Sequence, residues 1–205
     1  AIEFVKIGSA GNPDDSRNSF RTDLSAEFIG GVPYEFAIGK YEIPCEHLTM
    51  VHGASGGGQV DACFGGSKLI PGSRFYTDWV KFVNWLNEDS GYQPAYKPPP
   101  GLRTWQPGEI GYDADYPDSN AFARYFLPNA DEFYKAAFFD PESQMYLDYS
   151  TGSNEMPSSV RFGTDANTLV VDGRYVPANV NNAGGLSAFG TMAQVGNAQE
   201  YEEWT

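Results

Sequence analysis

A chain of 205 residues with 27 acidic and 13 basic side chains carries a formal net charge of −14, which repels a phosphate backbone and argues against nucleic acid as a partner. The length suits a single domain, residues 1–205, able to bury a core without staples, and no apolar run approaches the roughly 18 to 20 residues of a membrane span. With 23 Gly, 14 Pro and 15% aromatic residues, the composition points to a loop-rich domain whose few regular elements are pinned by large rings.

The chain opens on Ala1-Ile2-Glu3, as a mature protein does once a signal peptide has been removed, so the expectation is a secreted, periplasmic or cell-surface protein. Residues 1 to 43 read as strands. Ile2, Phe4, Val5 and Ile7 form a short apolar run, Gly8 to Ser19 reads as a turn-rich loop, and Tyr34, Phe36 and Ile38 alternate with Glu35 and Ala37.

Pro44 suits the first turn of a helix, Glu46 its positive end and Gly53 its stop, with Leu48 and Val51 three residues apart. Thr77 is placed to cap a second helix in which Trp79, Phe82, Val83 and Leu86 form one apolar stripe, which is core. Residues 88 to 124 read as loop, with Asp113, Asp115 and Asp118 beside Tyr112 and Tyr116. A solvated face is the plain reading of that cluster, and sugar recognition the sharper one. Asn129 and Glu132 then have capping-box spacing ahead of Phe133, Ala136 and Ala137, and Thr168 to Val176 reads as a short hairpin about Asp172-Gly173.

Cys45 and Cys63 are the only cysteines. They either close a loop as a disulfide in an oxidising compartment or stay separate as buried thiols. Cys45, His47 and His52 are types that bind zinc or copper, but offsets of two, five and seven do not share a helix face.

Several blocks resemble one family. Phe36-Ala37-Ile38-Gly39-Lys40-Tyr41-Glu42-Ile43 is similar to an opening hairpin ending in Gly-Lys-Tyr-Glu-Val-Thr. Leu127-Pro128-Asn129-Ala130-Asp131-Glu132-Phe133-Tyr134-Lys135-Ala136-Ala137-Phe138-Phe139-Asp140-Pro141 is similar to a Leu-Pro-Thr-Glu-x-Glu-Trp-Tyr-Lys-Ala-Ala-Tyr-Tyr-Asp-Pro run. Ala188-Phe189-Gly190 through Gly196-Asn197-Ala198-Gln199-Glu200-Tyr201 resembles a closing Gly-Asn-Val/Ala-Trp-Glu-Trp signature, with both Trp positions replaced, by Gln199 and Tyr201. These are blocks of the formylglycine-generating enzyme (sulfatase-modifying factor) family. The resemblance implies an α+β fold, a loop-rich C-type-lectin-like variant with two main helices and twisted antiparallel strands.

It also implies calcium. Asn197, Glu200 and the carbonyls of Gly196 and Ala198 match one family site, and Asn179 with the carbonyl of Val180 matches the start of another. Carboxylates, Asn side chains and carbonyls on bent chain are what this hard cation takes; the plainer reading of the same residues is tight turns. The family's copper-binding catalytic cysteines lie in a C-terminal segment past the closing signature, and Cys45 and Cys63 match neither, so copper is not supported in this chain and no catalytic residue carries over. The expectation is a secreted, non-catalytic binding or structural subunit, calcium-stabilised, in a larger complex or cell-surface assembly, with a protein partner covering the edge left by the missing segment. The alternative is a copper-dependent oxidase of a protein cysteine whose catalytic cysteines lie in an unseen continuation.

Overall fold

The computed structural model describes residues 2–19, 28–54, 68–72, 75–97, 103–170, 177–198 and 200–203. The chain opens with β1 (Phe4–Ile7), β2 (Asp15–Ser19), β3 (Phe28–Ile29) and β4 (Phe36–Gly39). β1 and β4 pair antiparallel from Phe4↔Gly39 to Ile7↔Phe36, and β2 pairs antiparallel with β3 through an irregular register. Three helices follow among the described residues, α1 (Cys45–Ala54), α2 (Tyr76–Asp89) and α3 (Ala130–Phe138). Then come β5 (Phe139–Asp140) with β6 (Met145–Tyr146), antiparallel, and β7 (Ser158–Val160) with β8 (Thr168–Val170), parallel. The architecture is mixed helix and short strand pairs, an α+β arrangement.

Several local expectations shift. Asp15–Ser19 is strand rather than loop, because Arg17 straps it to the later hairpin, donating to Asp15 and to the Tyr146 carbonyl at 2.6 Å. α1 runs through Gly53 to Ala54. α2 starts one residue before Thr77, with Phe75 at the N-cap and no side-chain cap bond. The expected Asp172-Gly173 turn lies outside the described residues, and β8 finds its partner in β7.

Three apolar clusters hold these pieces. The largest joins Leu48 of α1, Ile70, Val80, Phe82 and Val83 of α2, and Tyr96 and Leu127; burying each such side chain contributes roughly 1.5–3 kcal/mol. Asn87 in α2 is fully buried and staples the loop after residue 120, accepting from the Arg124 and Tyr125 N–H groups and donating to the Tyr125 carbonyl. The capping box at Asn129 forms as the spacing predicts: its side chain accepts from the Glu132 N–H at 2.9 Å, and Glu132 accepts from the Asn129 N–H at 3.0 Å. A second cluster gathers Val170, Ala178, Ala183, Met192 and Ala193 under Tyr41, and a third packs Tyr134, Phe139 and Tyr146. Among the described residues no helix is long and apolar enough to cross a membrane.

Cys45 is fully buried and disulfide-bonded; the chain's other cysteine, Cys63, lies outside the described residues.

Candidate functional site

The second cluster brings the start and the end of the chain together. Lys40 is held from both sides, its N–H donating to the Glu3 carbonyl and its carbonyl accepting from the Met192 N–H, each at 2.8 Å. Tyr41 packs on Val170, Ala178 and their neighbours, and the next residue, Glu42, is carried into the interior with 8% of its surface exposed. A carboxylate is rarely buried to that extent without a partner.

Its partner comes from the turn at Gly196-Asn197-Ala198. The Asn197 N–H donates to the Val170 carbonyl at 2.9 Å, and Asn197 adopts φ +55°, a left-handed conformation that Asn tolerates better than most residues. Gly196, at φ +93°, is required: a Cβ there would collide with the Val170 carbonyl oxygen. Asn197 Nδ2 then donates to Glu42 Oε2 at 2.5 Å, and Oδ1 accepts from the Ala178 N–H at 2.7 Å. The other Glu42 oxygen, Oε1, is inaccessible and has no hydrogen-bond partner.

Electrostatics sharpen the picture. Burial, followed by repulsion from Glu200, pushes Glu42 up to about 8, while the Asn197 amide and the Ala198 N–H pull the other way. Glu200 keeps contact with solvent, but the surrounding chain thins its hydration and the Glu202 charge adds to the effect, raising it to about 7. Because Glu200 is exposed and Glu42 is not, the charge on Glu42 is the costlier of the two to leave uncompensated. Glu202 is itself raised, by burial and then by Asp131. The described ion pairs lie elsewhere, at Lys6–Glu35, Arg17–Asp15 and Lys97–Glu109 among others, and none involves Glu42, Glu200 or Glu202.

Of the six residues singled out in the sequence, Asn197 bonds Glu42, with Gly196 and Ala198 on either side of it in the chain. Asn179 and Val180 follow the Ala178 that Asn197 holds. The Asn179 carbonyl accepts from the Asn182 N–H, the Val180 N–H donates to the Leu69 carbonyl, and the Gly196 carbonyl accepts from the Ala198 N–H. Glu200 enters through its repulsion with Glu42. Glu42 itself is the residue sequence reading missed as a site member.

Calcium takes about 6 to 8 oxygens. The two glutamates and the carbonyls of the 196–198 turn are oxygens of that kind, and the bare Glu42 Oε1 is the observation that fits a cation best. The Asn197 side chain is engaged at both atoms and serves to orient Glu42. Among the described residues there is no group of three or more His, Cys, Asp or Glu placed to hold a metal, so carbonyl oxygens would have to complete the shell.

The other acidic region reads differently. Asp113 Oδ1 accepts from the Asp115 N–H at 3.0 Å, closing its own turn, and Tyr116 is 56% exposed. Glu203 is tethered through its N–H to the Pro128 carbonyl. Burial, against the opposing Tyr96 hydroxyl, raises its carboxyl to about 7.

No protein-family model and no curated protein matches the chain. It is similar to a solved structure, the crystal structure of CarF, with a TM-score of 0.61 over 95% of this chain and 77% of that one, at 18% identity. At that identity the likeness speaks to fold.

Proposed function

We propose that the chain is a secreted, non-catalytic binding or structural module of C-type-lectin-like fold, of the formylglycine-generating-enzyme type, whose irregular half is held in shape by calcium. The observation that carries this reading is Glu42: a buried carboxylate fixed by Asn197, with one oxygen bare and the charge of Glu200 repelling it. Burying such charge without compensation is costly, and a hard cation that takes carboxylate oxygens offsets it. The disulfide at Cys45 suits an oxidising compartment, and the net charge of −14 suits a soluble surface presented to a protein partner in a larger assembly.

The test is thermal unfolding with calcium and after its removal, together with the metal content of the purified protein. Calcium should raise the melting temperature, since a ligand bound only by the folded chain stabilises it by mass action. If Asn197→Ala combined with Glu200→Ala leaves both melting and calcium content as in the wild type, the calcium reading is wrong.

A further inference from the structure

We propose that Glu42 supplies a carboxylate ligand to this cation site, reaching it from the opposite end of the chain, and that Asn197 is the residue that positions it. The inference rests on the calcium reading and extends it, because residues 196–200 offer one acidic side chain, whereas Glu42 adds a second.

Three observations point the same way. Glu42 Oε2 is fixed by a 2.5 Å bond from Asn197 Nδ2, and that amide is in turn fixed by the Ala178 N–H on Oδ1 at 2.7 Å, so the carboxylate has a set orientation. Oε1 is left buried and without a partner. And Glu200 repels the Glu42 charge, with no Lys, Arg or His ion-paired to either among the described residues.

A proton and a cation are the two ways to relieve the charge on Glu42. A cation needs only the lone pairs that Oε1 already presents, and it offsets Glu200 as well. An oxygen-preferring divalent ion is the chemical class that matches two carboxylates with carbonyls on irregular chain. Occupancy would join Glu42, three residues past the end of β4, to the closing turn.

The probe is calcium chloride, titrated calorimetrically into calcium-stripped wild type, Glu42→Gln, and Glu88→Gln as a charge control on an exposed position of α2. Gln preserves the size of Glu42 and an acceptor for Asn197 while removing a ligand charge. The expected result is a loss of calcium affinity of roughly tenfold or more in Glu42→Gln, with Glu88→Gln close to wild type. Equal affinity in Glu42→Gln and wild type overturns the inference and leaves the calcium reading standing; no binding by wild type removes the reading itself. Hydrogen exchange on the wild type gives an answer that needs no variant. Added calcium should slow exchange at residues 40–44 as well as 196–201, and protection confined to 196–201 would exclude Glu42.

Discussion

Asn197 and Glu42, 155 positions apart in the chain, meet through a 2.5 Å hydrogen bond from carboxamide Nδ2 to carboxylate Oε2. One side chain thus fixes the end of the opening hairpin to the closing turn, and its loss has two consequences. Asn197→Ala leaves the Ala178 N–H and Glu42 unsatisfied in the interior and places a Cβ residue without a polar side chain at φ +55°. We expect a loss of about 3 kcal/mol, read from urea denaturation. Asn197→Gly relieves the backbone part alone and should recover about 1 kcal/mol of that loss.

Without calcium, stability should fall as the medium becomes more alkaline. Glu42 binds its proton more tightly in the folded chain, where its value is raised from 4.5 to about 8, than in the unfolded one. That contribution is fully present below about 4.5 and is lost as pH rises through about 8. Glu200, raised to about 7, acts in the same direction, with Glu202 as the other charge facing it. At the acid end Asp15 opposes them. Burial raises it, but hydrogen bonds from Arg17 and Tyr134 outweigh burial and leave it lowered, so its contribution is lost as pH falls through its folded value. Melting curves of calcium-stripped protein should peak at mildly acidic pH, and Glu42→Gln should flatten the alkaline limb. An unchanged limb in Glu42→Gln would count against this assignment.

A second node joins the opening strands to β6. Tyr146 OH accepts from Asn12 Nδ2 at 2.6 Å and lies 2.6 Å from the Gly30 carbonyl, its acceptor. Gly30 has φ +105°, and a Cβ there would collide with that hydroxyl and stand 2.9 Å from the Tyr134 ring. Gly30→Ala should cost about 3 kcal/mol, and Tyr146→Phe about 1–3 kcal/mol. Calorimetric melting should show Gly30→Ala as the less stable of the two, or fail to detect it folded.

Reduction should also weaken the fold. Cys45 is fully buried at the start of α1 and disulfide-bonded, so a reductant acts only after local opening, and the reduced protein should be less stable by about 3 kcal/mol. Free-thiol titration alongside melting checks this; full reduction with no change in melting would contradict it.

What sequence could and could not reveal divides by range. The capping box at Asn129 and Glu132 was legible because its partners are three residues apart. The apolar stripe of α2 and the alternation of β4 were legible for the same reason, with Phe82 and Val83 buried as expected. β2 was not, since Asp15–Ser19 is polar throughout and becomes a strand only by the strap from Arg17 to Tyr146, 129 positions on. The parallel pairing of β7 with β8 is likewise set by distant packing rather than by any turn motif. At the site, the glycine and Asn of the 196–198 turn were visible because left-handed backbone has a compositional signature. Glu42 was read as the end of a hairpin, for nothing local says that a charge after Tyr41 is buried or that its partner waits at Asn197.

The most direct test is a crystal structure of calcium-soaked protein measured at a wavelength where calcium scatters anomalously. A single anomalous peak bonded by carboxylate oxygens of both Glu42 and Glu200, with Asn197 still holding Glu42, is the result predicted. A water at Glu42 Oε1, or a calcium peak bound by Glu200 and the 196–198 turn with Glu42 turned away, would contradict it.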